Sequence, residues 1–239
     1  MPRQECLLKA HYTNVSRRDN LGTLLMPMNI SWNGLGSFVI TAKPSQDEVS
    51  IVTNPFAVDG VRFPRSVAAS IIVTSHEGDD TGNRAAIIAE HEGSKPFVVE
   101  HAGEYEVRGM FVTGIDAPKK DKTPHTIYRF DAEGMRVGFL GALDRTLTEK
   151  ELEALGPIDI LIVPAGGKDV LAATGATEVI AQIEPRLVVP SYVTTEAGYG
   201  DVSALKRELS GSSEEVSKLK IARAGLPEED MKLVIITNS

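Results

Sequence analysis

Cysteine is nearly absent from this chain of 239 residues, because Cys6 is the only one. A single cysteine excludes an internal disulfide, and it also excludes a zinc cluster built from several thiolates. Basic residues are in deficit as well: 25 Lys and Arg stand against 33 Asp and Glu, which gives a net charge of −8. A negatively charged chain is repelled by phosphate backbones, so we expect no nucleic acid among its partners.

Long apolar runs are also missing. No stretch reaches the roughly 18 consecutive apolar residues that a membrane-spanning helix requires. Arg3 and Lys9 near the N-terminus are not followed by the apolar segment of a secretory signal. We therefore expect no membrane contact and, by default, a cytoplasmic location. Hydrophobic residues make up 42% of the chain and charged residues 24%, a composition typical of a globular protein with a sizeable core.

Regular sequence patterns begin near Met28. Residues 1–27 show no clear periodicity and carry a polar stretch over residues 13–20. We interpret residues 1–27 as an N-terminal extension and residues 28–239 as one domain, because no linker-like stretch divides the latter. The alternative for residues 1–27 is an extra edge strand or helix packed on the domain.

The first half of the chain is rich in strand patterns. β-Branched and aromatic runs over residues 38–41 and 49–53 flank the turn-forming residues 44–47, which predicts a hairpin. The apolar run from Ala68 to Thr74 predicts one continuous buried strand. Residues 84–90 fit a helix or a strand equally well.

Helix and strand patterns alternate in the second half. Thr148 and Glu151 form a capping box that predicts a helix over residues 149–155, which ends at Gly156 and Pro157. Further strands are predicted over residues 158–163, 187–189 and 233–236, and further helices over residues 177–183 and 202–209. Hairpins followed by β–α alternation predict the α/β class with mixed sheets.

Several short motifs follow one another in a specific order. Trp32 and Gly34 open a strand, a second strand ends at Asn54-Pro55, and a buried strand then leads to His76. Two later matches are Gly103-Glu104-Tyr105-Glu106 and the run from Gly156-Pro157-Ile158-Asp159 to Gly166-Gly167. The chain from residue 28 to residue 238 resembles the metallo-β-lactamase superfamily, close to its small metal-dependent hydrolases of the ascorbate-phosphate lactonase type. This resemblance implies a four-layer αββα sandwich.

The resemblance also identifies the positions of the family's metal ligands. The family loop reads Thr-His-x-His-x-Asp-His, and His76 and Asp80 occupy its first histidine and its aspartate positions. The other positions of the family's ligand set hold different residues here, namely Gly78, Thr81, Ala142 and Tyr192, and the acid of the Asp-Pro step is Asn54. A hydrolytic zinc site needs about three protein ligands and an open position for water. We therefore expect His76 and Asp80 to be remnant metal positions without an ion, and we expect no cofactor.

These ligand replacements predict a metallo-β-lactamase-fold protein that has lost metal-dependent hydrolysis. It would act as a binding or structural module for a small molecule or a protein, and self-association into a homo-oligomer is open. The alternative is a hydrolase with zinc or another divalent metal in a reduced or rearranged site, acting on a phosphoester or a lactone-type substrate. Such a site could recruit His91, His101 or His125, and the acidic group of Glu77, Asp79 and Asp80 could hold a hard cation.

Overall fold

The computed structural model describes residues 26–210 and 212–237. The prediction that residues 1–27 form an extension therefore falls almost entirely outside the described residues and stays a prediction. Within the described ranges, none of the helices has the length and apolarity needed to cross a bilayer.

The first half of the chain contributes eight strands. They are β1 (Met28–Gly34), β2 (Ser37–Ala42), β3 (Val49–Thr53), β4 (Val67–Ala69), β5 (Ile71–Val73), β6 (Ile87–Ala89), β7 (Phe97–Val99) and β8 (Gly103–Val107). The second half alternates strands with helices. In order these are β9 (Met110–Asp116), β10 (Thr126–Ala132), β11 (Met135–Phe139), α1 (Glu149–Leu155), β12 (Ile160–Pro164), α2 (Ala173–Ile183), β13 (Leu187–Ser191), α3 (Ser203–Leu209), β14 (Ser213–Val216), β15 (Leu219–Ile221) and β16 (Lys232–Ile236).

Two large mixed sheets form the body of the protein. The six-stranded sheet has the order β15-β1-β2-β3-β5-β7, and the eight-stranded sheet has the order β14-β16-β13-β12-β11-β10-β9-β8. The strands β3, β5 and β7 run parallel, as do β11, β12, β13 and β16. The carboxyl ends of neighbouring parallel strands meet at one edge of a sheet, which brings the loops after β3 and β5 together.

Apolar side chains fill the layers on both sides of the eight-stranded sheet. Phe38, Phe130 and Phe139 belong to the core between the two sheets. Leu155 and Leu205 belong to a second cluster, which lies between the eight-stranded sheet and the helices. The predicted α/β sandwich of the metallo-β-lactamase type is thus confirmed. On the outer face of the six-stranded sheet, the described cover is a short two-stranded sheet of β4 and β6.

The prediction of one strand from Ala68 to Thr74 is wrong in one respect. The run is divided at Ser70 into β4 and β5, which belong to different sheets. The Ser70 hydroxyl donates to Glu90 Oε2 across 2.6 Å, and the N–H and hydroxyl of Ser50 also donate to that carboxylate. A partly buried hydroxyl needs such a partner, and this contact fixes the break between the two strands.

Sequence signals that involve only neighbouring residues predict the local structure correctly in two places. The hairpin of β2 and β3 is antiparallel as predicted, and the capping box of α1 has both of its hydrogen bonds between Thr148 and Glu151. Helix α2 begins four residues before its predicted start at Thr177. Its first residue follows Ala172, whose side chain makes no capping hydrogen bond, so the sequence carries no start signal there.

Candidate functional site

The loop after β5 carries His76 in a tight turn. His76 Nε2 lies 3.0 Å from Asp80 Oδ1, and His76 Nδ1 lies 2.9 Å from the Ser75 hydroxyl. The turn is closed by the Thr81 hydroxyl, which donates to the carbonyls of His76 (2.7 Å) and Gly78 (3.1 Å). The two predicted metal positions therefore meet, but each ring nitrogen of His76 already has a partner.

Asn54 links the end of β3 to this loop. Its Oδ1 accepts from the Ser75 N–H at 2.9 Å, and its Nδ2 donates to the Ser75 hydroxyl at 2.9 Å. Asn54 is fully buried and has a φ of 36°, a backbone conformation that asparagine tolerates better than most residues. A continuous chain of hydrogen bonds thus runs from Asn54 through Ser75 and His76 to Asp80.

Tyr192 reaches the same carboxylate from the end of β13. Its hydroxyl donates to Asp80 Oδ2 across 2.6 Å. The ring is fully buried and meets the ring of Tyr199 edge to face, with centroids 5.2 Å apart. It also lies against Gly36, where an added Cβ would come within 2.6 Å of a ring carbon. Both oxygens of Asp80 are therefore engaged by side chains of this chain.

An apolar cluster surrounds the Tyr192 ring. We call it the Tyr192 cluster, and its buried members are Leu35, Phe56, Ala142, Val170, Tyr192 and Tyr199. Ala142 and Tyr192 are two of the positions at which the resemblance implies metal ligands. Both lie in hydrophobic packing, so this side of the site lacks the metal-binding donors of the family.

The electrostatics of Asp80 and Tyr192 agree with their hydrogen bond. Burial on its own raises the pKa of Asp80, but the hydrogen bond and charge of His76, together with the Tyr192 hydrogen bond, outweigh it and hold this pKa below its ordinary value. Burial raises the pKa of Tyr192 well above its ordinary value, and the negative charge of Asp80 raises it further. The pair is thus a protonated phenol that donates to a carboxylate.

His125 lies near His76, with ring centroids 5.8 Å apart. Its Nδ1 lies 3.1 Å from the Ala117 carbonyl, and its Nε2 accepts from the Ala142 N–H at 3.1 Å. Burial, helped by the charge of His76, lowers the pKa of His125 to about 3, so the ring is neutral. Both ring nitrogens bind the backbone, and His125 is a hydrogen-bonded core residue.

The remaining candidates do not join the site. Glu77, Asp79 and His101 are exposed, and His91 lies in the loop between β6 and β7. Among residues 26–210 and 212–237, no three His, Cys, Asp or Glu side chains are grouped so that they could hold a metal ion. The proposed hard-cation site at the acidic group therefore has no convergent carboxylates in the described structure.

The zinc centre that the resemblance implies does not fit these donors. A metal at His76 and Asp80 would have to displace Ser75, Tyr192 or the contact between the two ligands themselves. Thr81 is bound to backbone carbonyls, and no donor replaces the side chain missing at Gly78. Two engaged ligands fall short of the roughly three that a hydrolytic zinc requires.

The order Ser75, His76, Asp80 also resembles a nucleophilic triad, in which a histidine bridges a serine and an acid. Ser75, however, is 1% exposed. Its hydroxyl accepts from Asn54 and lies against the backbone of Gly141, where an added Cβ would come within 2.4 Å of it. A carbonyl substrate cannot reach this oxygen, so the arrangement is structural. No sequence motif marked Ser75 in advance.

Comparison with known proteins agrees with the fold. A UPF0173 protein of Pyrococcus abyssi is 28% identical over 200 residues, which cover 76% of this chain and 90% of that protein. A proposed Zn-dependent hydrolase of the metallo-β-lactamase superfamily from Thermotoga maritima has a TM-score of 0.69 at 23% identity, and the match covers 88% of this chain and 100% of that one. Igni18, a metallo hydrolase from Ignicoccus hospitalis, has a TM-score of 0.61 at 15% identity, covering 89% and 95% of the two chains. Because both identities are below 25%, these two similarities show a shared fold and nothing about activity.

The resemblance that the sequence motifs predicted is confirmed by the match to a family model. The model is described as the β-lactamase superfamily domain, and it matches residues 29–192. These residues include the strand that opens with Trp32, the loop of His76 and the end of β13 at Tyr192. Since the match spans well over half of the 239 residues, this chain belongs to the β-lactamase superfamily domain family.

Proposed function

We propose that this protein is a non-hydrolytic member of its superfamily, which acts as a binding or structural module. The observation that carries the proposal is the 2.6 Å hydrogen bond from the Tyr192 hydroxyl to Asp80 Oδ2. This bond, together with the contact of His76 with Asp80 Oδ1, uses the side chains that remain at the ligand positions for internal hydrogen bonds.

The packing around Tyr192 supports the same proposal. A metal on Asp80 Oδ2 would take the acceptor of the Tyr192 hydroxyl inside a buried cluster, and a buried hydroxyl without a partner costs about 1 to 3 kcal/mol. A metal held by one imidazole and one carboxylate would have to repay that cost. The hydrogen-bonded arrangement is therefore the more stable state of this site.

Because the side chains around His76 are bound to one another, a binding module of this kind needs its ligand-binding surface elsewhere on the molecule. The residues around His76 follow the carboxyl ends of β3, β5 and β13, whereas a cavity of about 780 Å³ lies at the opposite ends of the strands. Lys43, Phe111, Arg136 and Arg223 are among its lining residues. This cavity is our candidate for the site of a small-molecule ligand.

Metal analysis of the full chain, purified without chelators, tests the proposal directly. We expect far less than one transition-metal ion per chain, and no change in metal content in a His76→Ala variant. The matched control is His101→Ala, which removes an exposed histidine outside the loop. A stoichiometric metal that is lost in His76→Ala but kept in His101→Ala would refute the proposal.

A reduced metal-dependent hydrolase is the competing function. It is favoured by the proximity of His76 and His125, and by solved structures of similar fold that are described as metal-dependent hydrolases. That this protein binds no zinc or other metal cofactor is therefore part of our proposal. The hydrolase predicts metal-dependent cleavage of a generic phosphodiester or lactone that is lost in His76→Ala, whereas our proposal predicts no such cleavage in the unaltered protein.

A further inference from the structure

Strand β7 forms one edge of the six-stranded sheet. Within the described part of the chain it pairs with β5 and with no other strand. The Phe97 N–H donates to the Ser70 carbonyl at 2.8 Å, and the Val99 carbonyl accepts from the Thr74 N–H at 3.0 Å. Because the backbone groups of successive strand residues point to opposite sides, the N–H and carbonyl of Val98 point away from β5, towards the open edge.

The three other edge strands of the two large sheets carry charge. Charged residues on an edge strand oppose its pairing with another chain. These residues are Lys220 in β15, Glu104 and Glu106 in β8, and Glu214 and Glu215 in β14. Strand β7 consists of Phe97, Val98 and Val99, so it lacks this protection.

The apolar side chains of β7 are themselves partly exposed. Phe97 is 46% exposed and Val98 is 38% exposed. Covering such surface is favourable by about 25 cal/mol per Å² of apolar area.

We propose that this protein forms a homodimer in which β7 pairs antiparallel with β7 of a second copy, about a two-fold axis at Val98. In this register each Val98 donates to and accepts from the Val98 of the other copy. Each Glu100 N–H reaches the carbonyl of the other copy's Pro96. Pro96 has no N–H, so the Glu100 carbonyl of the other copy finds no donor opposite it. This occurs only at the two ends of the ladder, where water can bind that carbonyl.

Charge at the ends of β7 favours a second copy in this orientation. Lys95 precedes the strand, and Glu100, whose partly exposed carboxylate also pairs with Arg84 of its own chain, follows it. Antiparallel pairing brings Lys95 of one copy beside the Glu100 carboxylate of the other at both ends of the interface. The same patch is used on both copies, as in most two-fold dimers. This inference goes beyond the proposed function and does not depend on it.

Mass measurement over a range of concentrations tests the dimer. We expect light scattering to give about twice the 25.7 kDa of one chain. A Val98→Lys variant places a charge on the edge, and we expect it to weaken association at least about tenfold, which corresponds to about 1.4 kcal/mol. The matched control is Phe111→Lys, which alters an exposed aromatic on β9 and leaves the mass unchanged. A wild-type protein that stays monomeric throughout would overturn the proposal.

Cross-linking tests the register and does not depend on how well Val98→Lys folds. Directly opposed residues of a hydrogen-bonded antiparallel pair have Cα atoms about 5.5 Å apart, which suits a disulfide. In a Cys6→Ser background, Val98→Cys should therefore form a disulfide-linked dimer under mild oxidation, whereas Phe111→Cys should not. A dimer that leaves Val98→Cys unlinked, or that links both variants equally, contradicts edge pairing at β7.

Discussion

The Tyr192 hydroxyl binds the Asp80 carboxylate across 2.6 Å, although the two residues are 112 positions apart in the sequence. Tyr192 follows β13 of the eight-stranded sheet, and Asp80 lies in the loop after β5 of the six-stranded sheet. The bond therefore ties the two sheets together at the carboxyl ends of their strands. Tyr192 stands at a position where the resemblance implies a histidine ligand.

Removing only that hydroxyl should lower the stability of the fold. In Tyr192→Phe the ring keeps its packing, but Asp80 Oδ2 loses its donor inside the protein. An unpaired partner of this kind costs about 1 to 3 kcal/mol, and chemical denaturation measures the loss. Tyr105→Phe is the control, because its hydroxyl binds the His101 carbonyl near the surface and its removal should cost far less. Equal effects in both variants would contradict a special role for the Asp80 bond.

The carboxylate of Glu90 should be a second point of weakness. It accepts from Ser70 at the break between β4 and β5, and also from the N–H and hydroxyl of Ser50 on β3. In Glu90→Ala these donors lose a charged acceptor, so we expect a loss of about 2 to 4 kcal/mol in the free energy of unfolding. Glu92→Ala removes an exposed acid from the following loop and should be neutral. Hydrogen exchange should show faster exchange at β4 and β6 in Glu90→Ala alone.

The Arg145–Glu151 ion pair gives a pH dependence of known sign. Arg145 Nη2 lies 2.7 Å from Glu151 Oε1. Burial raises the pKa of Glu151, but the Arg145 hydrogen bond and the Thr148 contacts lower it more, and the net pKa lies below the usual 4.5. A lowered folded-state pKa contributes stability that is present above pH 4.5 and is lost as the pH falls through the folded value.

Glu151→Gln keeps an acceptor for the capping box and removes the charge. We expect it to lower the free energy of unfolding by about 1 to 2 kcal/mol near neutral pH, and we expect this difference to vanish in acid. Glu149→Gln, an exposed change in the same helical turn, serves as the control. A difference between Glu151→Gln and the unaltered protein that stays constant down to acid pH would argue against the ion pair as its source.

Restoring donors should restore affinity for zinc. An added Cβ at Gly78 would lie 2.8 Å from Asp80 Oδ1 and 3.4 Å from His76 Nε2, so the end of the Asp80 side chain has to shift slightly and the new side chain begins beside both remaining ligands. In the double variant Gly78→His/Tyr192→His we expect Zn²⁺ to raise the melting temperature, because a ligand that binds the folded state stabilises it. Gly78→Ala/Tyr192→Phe carries no new donor, and Zn²⁺ should leave its melting temperature unchanged. The same response in both double variants would show that the added histidines are not the cause.

Patterns of short range were sufficient to predict most of the fold. The hairpin of β2 and β3 and the capping box at Thr148 each depend on a few neighbouring residues, so the sequence displays them directly. The contact of His76 with Asp80 also lies within one turn of the chain. The sequence does not show the division at Ser70, because the carboxylate that binds the Ser70 hydroxyl belongs to Glu90, 20 residues later and just after β6.

The site itself depends on contacts of longer range. Tyr192 was recognised as a replaced ligand, but its bond to Asp80 requires knowing how the two sheets face each other. The bridge between Asn54 and Ser75 requires knowing that β3 and β5 are neighbours. His125 was considered as a recruited ligand, and only its backbone contacts with Ala117 and Ala142 identify it as part of the core.

The Tyr192 ring lies so close to the backbone of Gly36 that a side chain at position 36 and an aromatic ring at position 192 exclude each other. Relatives of this protein should therefore vary at the two positions together, with glycine at 36 wherever tyrosine stands at 192. A change at one position alone creates either a clash or a void, so the two sites are expected to covary during the divergence of this branch.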